Sequence, residues 1–76
     1  MKKPKTFKDL QDAMYNDKEI YYPKNDIYFK HINAIIIRNY SGAYGDDLDK
    51  KMQVELQDKK SHSITIVPVD EILIVE

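Results

Sequence analysis

The chain has 76 residues, no cysteine, and twelve basic against thirteen acidic side chains, a net charge of −1. That length holds one domain, which hydrophobic burial must stabilise without disulfides and which buries only about 60% of the surface its unfolded chain exposes. The charge balance excludes a strongly basic nucleic-acid binder and a strongly acidic phosphate mimic, and no apolar run approaches the ~20 residues of a membrane-spanning helix.

Ten isoleucines and four valines stand against four leucines. β-branched side chains are stiff at χ1 and suit a pleated surface, so the core is predicted to be a β core. Eleven lysines accompany a single arginine, Arg38. That bias, with the excess of Ile, Asn, Tyr and Phe over Gly, Ala and Pro, reads through the genetic code as an AT-rich genome, such as a low-GC bacterium or its phages and plasmids. The start, Met1-Lys2-Lys3-Pro4-Lys5, lacks the apolar stretch of a secretory signal, and a cytoplasmic protein is expected.

Residues 1–5 read as a flexible basic tail, and residues 6–76 as one small α+β domain. Thr6 is placed to cap a helix over 6–16, with Asp9 three residues later as an acidic capping box. Phe7, Leu10, Ala13 and Met14 form its apolar stripe, and Asn16 is the expected left-handed stop. Glu19 to Tyr22 is a short strand, Pro23-Lys24-Asn25-Asp26 a turn, and Ile27 to Lys30 the returning strand. A bend or bulge is expected over His31, Ile32 and Asn33. Residues 34–40, apolar on both faces, predict a central strand.

A loop follows over Ser41 to Asp47. Lys51 to Gln57 alternates, with Met52, Val54 and Leu56 inward and Gln53, Glu55 and Gln57 outward. Asp58 to Ser61 is a polar hairpin turn, and Ser63 to Val67 its partner strand, stopped by Pro68. Val69-Asp70-Glu71 is one tight turn before a last strand, Ile72 to Val75. The fold class is therefore α+β: one N-terminal helix followed by a small antiparallel β-sheet or a partly open five-stranded barrel. Over residues 35–75 the succession of strand, hairpin, strand, single-turn corner and strand resembles a Src-homology-3-like barrel, in architecture alone.

Candidate chemistry is sparse. Ser61-His62-Ser63 places a histidine between serines, but neighbours on extended chain point to opposite faces, and a triad needs spatial convergence. His31 reads as a strand or bulge residue. Asp46, Asp47 and Asp49 suggest Ca²⁺, yet a twelve-residue loop from Asp47 would put Lys51 fifth and Asp58 twelfth, with no glycine sixth. They read as a solvated loop.

Gly42-Ala43-Tyr44-Gly45 resembles the bare G-x-x-G of KH domains, which clamp a nucleic-acid backbone. That loop normally joins two helices and carries a basic residue, whereas here Asp46 and Asp47 follow and would repel phosphate. A hairpin loop using glycine for positive φ explains the same residues.

Tyrosine is in excess, at 15, 21, 22, 28, 40 and 44, and it is a residue enriched at protein interfaces. Tyr40, Tyr44, Asp46 and Asp47 form the candidate protein-contact patch. Lys50, Lys51, Lys59 and Lys60, at the two ends of one hairpin, are the candidates for a nucleic-acid contact. The expected function is a non-enzymatic protein-binding module, an accessory or inhibitor protein of a phage, plasmid or other mobile element. Its alternatives are a small-barrel nucleic-acid binder and a structural homo-oligomer built on an edge strand. No cofactor, metal or membrane partner is expected.

Overall fold

The structure, a computed structural model, describes residues 1–37 and 52–76. Arg38, Tyr40, the Gly42–Gly45 loop, Tyr44, Asp46, Asp47, Asp49, Lys50 and Lys51 lie outside the described residues, as does the expected continuation of the third strand to residue 40.

The capping box forms as the sequence predicts. Thr6 Oγ1 accepts from the Asp9 amide at 3.2 Å, and Asp9 Oδ2 accepts from the Thr6 amide at 3.1 Å, opening α1 (Phe7–Tyr15). Asp9 Oδ2 also accepts from the Lys5 amide at 2.8 Å. That bond, the largest influence, holds the Asp9 carboxyl below the usual carboxylate range, with the Thr6 amide and Lys2 adding to it. The helix ends at Tyr15 with Asn16 as its C-cap, but the left-handed position falls one residue later than expected. Asp17, not Asn16, takes the left-handed backbone at φ 51°. Its amide reaches the Met14 carbonyl at 3.2 Å, and the Lys18 amide the Ala13 carbonyl at 2.9 Å, a Schellman closure. Asn16 instead folds its side-chain amide back onto the Asp12 carbonyl at 2.7 Å. Leu10 and Ala13 are buried, with Phe7 and Met14 half-buried against the same core.

Among the described residues six strands follow the helix: β1 (Ile20–Tyr22), β2 (Ile27–Phe29), β3 (His31–Ile36), β4 (Gln53–Gln57), β5 (Ile64–Pro68) and β6 (Leu73–Ile74). They form two three-stranded antiparallel sheets, ordered β2-β1-β6 and β3-β4-β5. Among the described residues the two sheets do not close into a barrel, where the sequence suggested one curled sheet. Lys30 is the only residue between β2 and β3, so one stretch of chain serves both sheets. The 3₁₀ turn Val69–Glu71 makes the other crossing, from β5 to β6. Residues 1–5, read as a tail, lie along β6: Lys2 and Ile74 exchange backbone bonds of 2.8 and 2.7 Å, and Pro4 is buried.

The strand expected at the centre is an edge among the described residues, and β4 takes the centre. Sheet position follows from which partners the connections deliver. The short turn after β4 brings β5 to one side and leaves β3 the other. Within β3 the register slips between Ile32 and Ala34, so Asn33 is the bulged residue, inside the segment where a bend was expected. The slip is what puts Ile32 opposite Leu56 and Ile35 opposite Val54, although the two isoleucines are three residues apart. Ile37 joins them against the core, while Ile36 pairs with Gln53 on the outer face.

Val54 and Leu56 on β4, and Met52 just before it, are buried, as the alternation predicts. The Asp58 amide donates to the Ser63 carbonyl and the Val69 amide to the Met52 carbonyl, both at 3.1 Å. Bonded pairs recur at every second residue of an antiparallel ladder, so Leu56 with Thr65 and Val54 with Val67 are the bonded pairs between them. Pro68 falls in the opposite phase. Its missing N–H faces away from β4, which is why β5 runs one residue beyond the stop read from the sequence.

Two outcomes are expected. Leu56→Ala should cost about 2–5 kcal/mol by urea denaturation, enough to leave so small a domain largely unfolded. Because the folded Asp9 carboxyl titrates below its unfolded value, its contribution is complete above about pH 4 and is lost as pH falls through the folded value. Asp9→Asn should therefore flatten the acid limb of a stability–pH profile measured by denaturant titration.

Candidate functional surface

The ladder phase that accommodates Pro68 also decides what β5 shows to solvent. With Thr65 and Val67 bonded to β4, the amides and carbonyls of Ile64 and Ile66 point to the free edge. No other strand pairs with that edge among the described residues. The side chains of Ile64 and Ile66 share the outer face with Gln57 and Glu55, their opposite numbers on β4. They are 48% and 43% exposed, whereas Val67, on the inner face, is buried.

Other edges are guarded by devices that discourage strand pairing. β6 is covered by the Lys2 bridge. β3 carries the Asn33 bulge and lies against α1. β2 is three residues long and flanked by Asp26 and Lys30. β5 has neither charge nor bulge, and its proline comes last.

At the hairpin end of β5 a cleft of about 420 Å³ is lined by Lys30, His31, Lys59, Lys60, Ser61 and His62, with Gln57 and Asp58. It gathers both histidines of the chain and two of the four lysines picked out for a nucleic-acid contact. A polar relay supports its wall. His31 Nε2 lies 2.8 Å from Asn33 Oδ1, and Asn33 Nδ2 donates to Gln57 Oε1 at 2.9 Å. Gln57 Nε2 then donates to the Ser61 carbonyl at 3.1 Å and the Ser63 carbonyl at 3.3 Å. Among the lysines of the cleft, the Lys59 ammonium pairs with Glu19 and lies 5.5 Å from the Tyr28 ring centroid. Asp58 Oδ1 accepts the Lys60 amide at 2.7 Å, a local turn bond.

The tyrosines divide. Tyr22 points inward, buried, and donates to Glu71 Oε1 at 3.1 Å; burial first, then that carboxylate, raises its hydroxyl above the usual phenol range. Tyr21 points outward against Tyr28, ring centroids 4.5 Å apart. It donates to Asp26 Oδ1 at 2.6 Å, and that bond is the main reason its hydroxyl is raised. Both hydroxyls are committed within the fold, which suits anchoring rather than proton transfer.

Ser61 and His62 sit on the exposed turn, and no group of three or more metal-ligating side chains occurs among the described residues. No described helix is long and apolar enough to cross a membrane.

The reading from sequence passed over Ile64 and Ile66. Their exposure was recoverable from it, because a turn over 58–63 pairs Gln57 with Ile64 and sets the isoleucines opposite the polar side of β4. Comparison with known proteins adds no relative: no family model, no curated protein and no solved structure matches the chain.

Proposed function

We propose that the chain is a non-enzymatic protein-binding module that takes an extended segment of its partner alongside β5. The observation carrying this reading is the β5 edge, unpaired among the described residues, with Ile64 and Ile66 exposed beside it. Strand addition uses main-chain bonds for affinity and alternate side chains for choice of partner. Here the edge amides supply the bonds and the two isoleucines flank them. Composition supports an accessory or inhibitor protein of a mobile element from an AT-rich genome, acting in the cytoplasm. The shared β2–β3 chain and the 3₁₀ corner support kinship of architecture with Src-homology-3-like domains, whose barrel is open here.

Ile66→Lys places a charge on this edge without touching the core. Tagged wild-type protein should retain a defined partner from its host's extract, and the variant should lose it while keeping its circular dichroism spectrum. Equal retention by both would refute β5 as the contact.

A second reading, a nucleic-acid contact, is favoured by the basic cleft at the hairpin. Lys30 and Lys60 make no ion pair among the described residues. On this reading, fluorescence anisotropy with a single-stranded oligonucleotide should show affinity falling steeply as salt rises, and Lys30→Glu with Lys60→Glu should abolish it. A salt-independent or absent signal would remove this reading and leave the first untouched.

A further inference from the structure

We infer that the occupant of the β5 edge is a second copy of this chain, its β5 antiparallel to the first about a two-fold axis through Thr65. This rests on the protein-binding reading and names the partner. The β5 run Ile64-Thr65-Ile66 is the same in both directions. Antiparallel pairing centred on Thr65 therefore sets Ile64 opposite Ile66 of the partner subunit, and Ile66 opposite the partner's Ile64. The backbone phase agrees with that centre. Ile64 and Ile66 are the residues whose amides and carbonyls face the edge, so each Ile64–Ile66 pair exchanges two bonds, four in all. Thr65, with its bonds spent on β4, falls on the axis as the unbonded pair, where side chains approach most closely. A register shifted by one residue, its axis falling between two residues, would instead set these edge-facing groups opposite groups already spent on β4.

Charge selects the same arrangement. Lys60 lies beyond one end of β5 and Asp70 beyond the other, both exposed and without an ion pair among the described residues. Antiparallel addition sets the hairpin end of one β5, which carries Lys60, beside the 3₁₀ end of the other, which carries Asp70, and does so twice. Parallel addition would instead bring like charges together. The antiparallel form is also closed, with nothing left over to extend into a fibre. It joins the two β3-β4-β5 sheets into one of six strands and brings Ile64 and Ile66 of both copies side by side on its outer face.

The chain contains no cysteine, so a single introduced thiol reports cleanly. An unbonded antiparallel pair has its Cα atoms about 4.5 Å apart, within disulfide range. Thr65→Cys should form an intermolecular disulfide on mild oxidation at least about tenfold faster than Tyr15→Cys, an exposed site on the helix, because the dimer raises the local thiol concentration. In sedimentation equilibrium the wild type should show a two-chain mass, and Ile66→Lys a one-chain mass with an unchanged circular dichroism spectrum. Lys60→Asp should weaken the dimer, and Lys60→Asp with Asp70→Lys should restore it. A wild type that sediments as one chain, or a Thr65→Cys that crosslinks no faster than Tyr15→Cys, would overturn the inference. Capture of a different protein, lost with Ile66→Lys, would then keep the protein-binding reading alive. A monomer whose capture ignores Ile66→Lys would end both.

Discussion

The register of β4 governs the rest of the molecule. Val54 and Leu56 have no exposed surface, and the strand that carries them is bonded on both sides. A slip of one residue would turn both into solvent and bring Gln53, Glu55 and Gln57 into the core. With the register so held, each neighbour conforms. β3 takes a bulge at Asn33 so that Ile32 and Ile35 can both meet the buried side of β4. β5 has no bulge, so only Val67 is carried into the core while its two isoleucines are turned out. The inner and outer faces of β5 are thus consequences of a decision made on β4.

A chain this short has little interior to spare, and it ties its remaining ends with backbone and caps. Lys2 is bonded to Ile74, and the same N-terminal stretch leads into the Asp9 carboxylate through the Lys5 and Thr6 amides. One acidic side chain therefore joins helix start, first residues and, through Lys2, the β6 edge. The β2–β3 passage uses the Gln57 carbonyl for the Lys30 amide, at 2.8 Å, so the crossing between sheets costs no bond. These ties are made in a chain without cysteines, which brace many other small domains.

How much of this was legible depended on whether the cause was local. The capping box, the apolar helix stripe, the alternation over 52–57 and the corner at 69–71 are set by neighbouring residues, and each formed where the spacing put it. The position of β3 was not local. Its apolar residues on both faces suggested a centre, but edge or centre depends on which strands the connections deliver, and hydrophobicity alone does not encode that. Pro68 misled for a related reason: proline stops a strand only where its N–H would have been used, and the ladder phase was invisible before pairing. The sequence also drew attention to Tyr40, Tyr44, Asp46 and Asp47, which lie outside the described residues. It passed over Ile64 and Ile66 because an isoleucine in a strand is ordinarily read as core.

The exposure of those two isoleucines is the feature that folding does not explain. Neither lies over the core, and Glu55 on the neighbouring strand shows that the same face accepts charge. Placing Lys or Glu at 64 or 66 would blunt the edge at little cost to stability, which is how edge strands are usually guarded. β6, β3 and β2 each show such a guard, by cover, by bulge, or by shortness with flanking charge. Among the described residues three edges are protected and the fourth is apolar, uncharged and in phase with its own reverse, which is why the contact is proposed there. Strand pairing at β5 would put to use the amides, the carbonyls and the side chains that β4 leaves over.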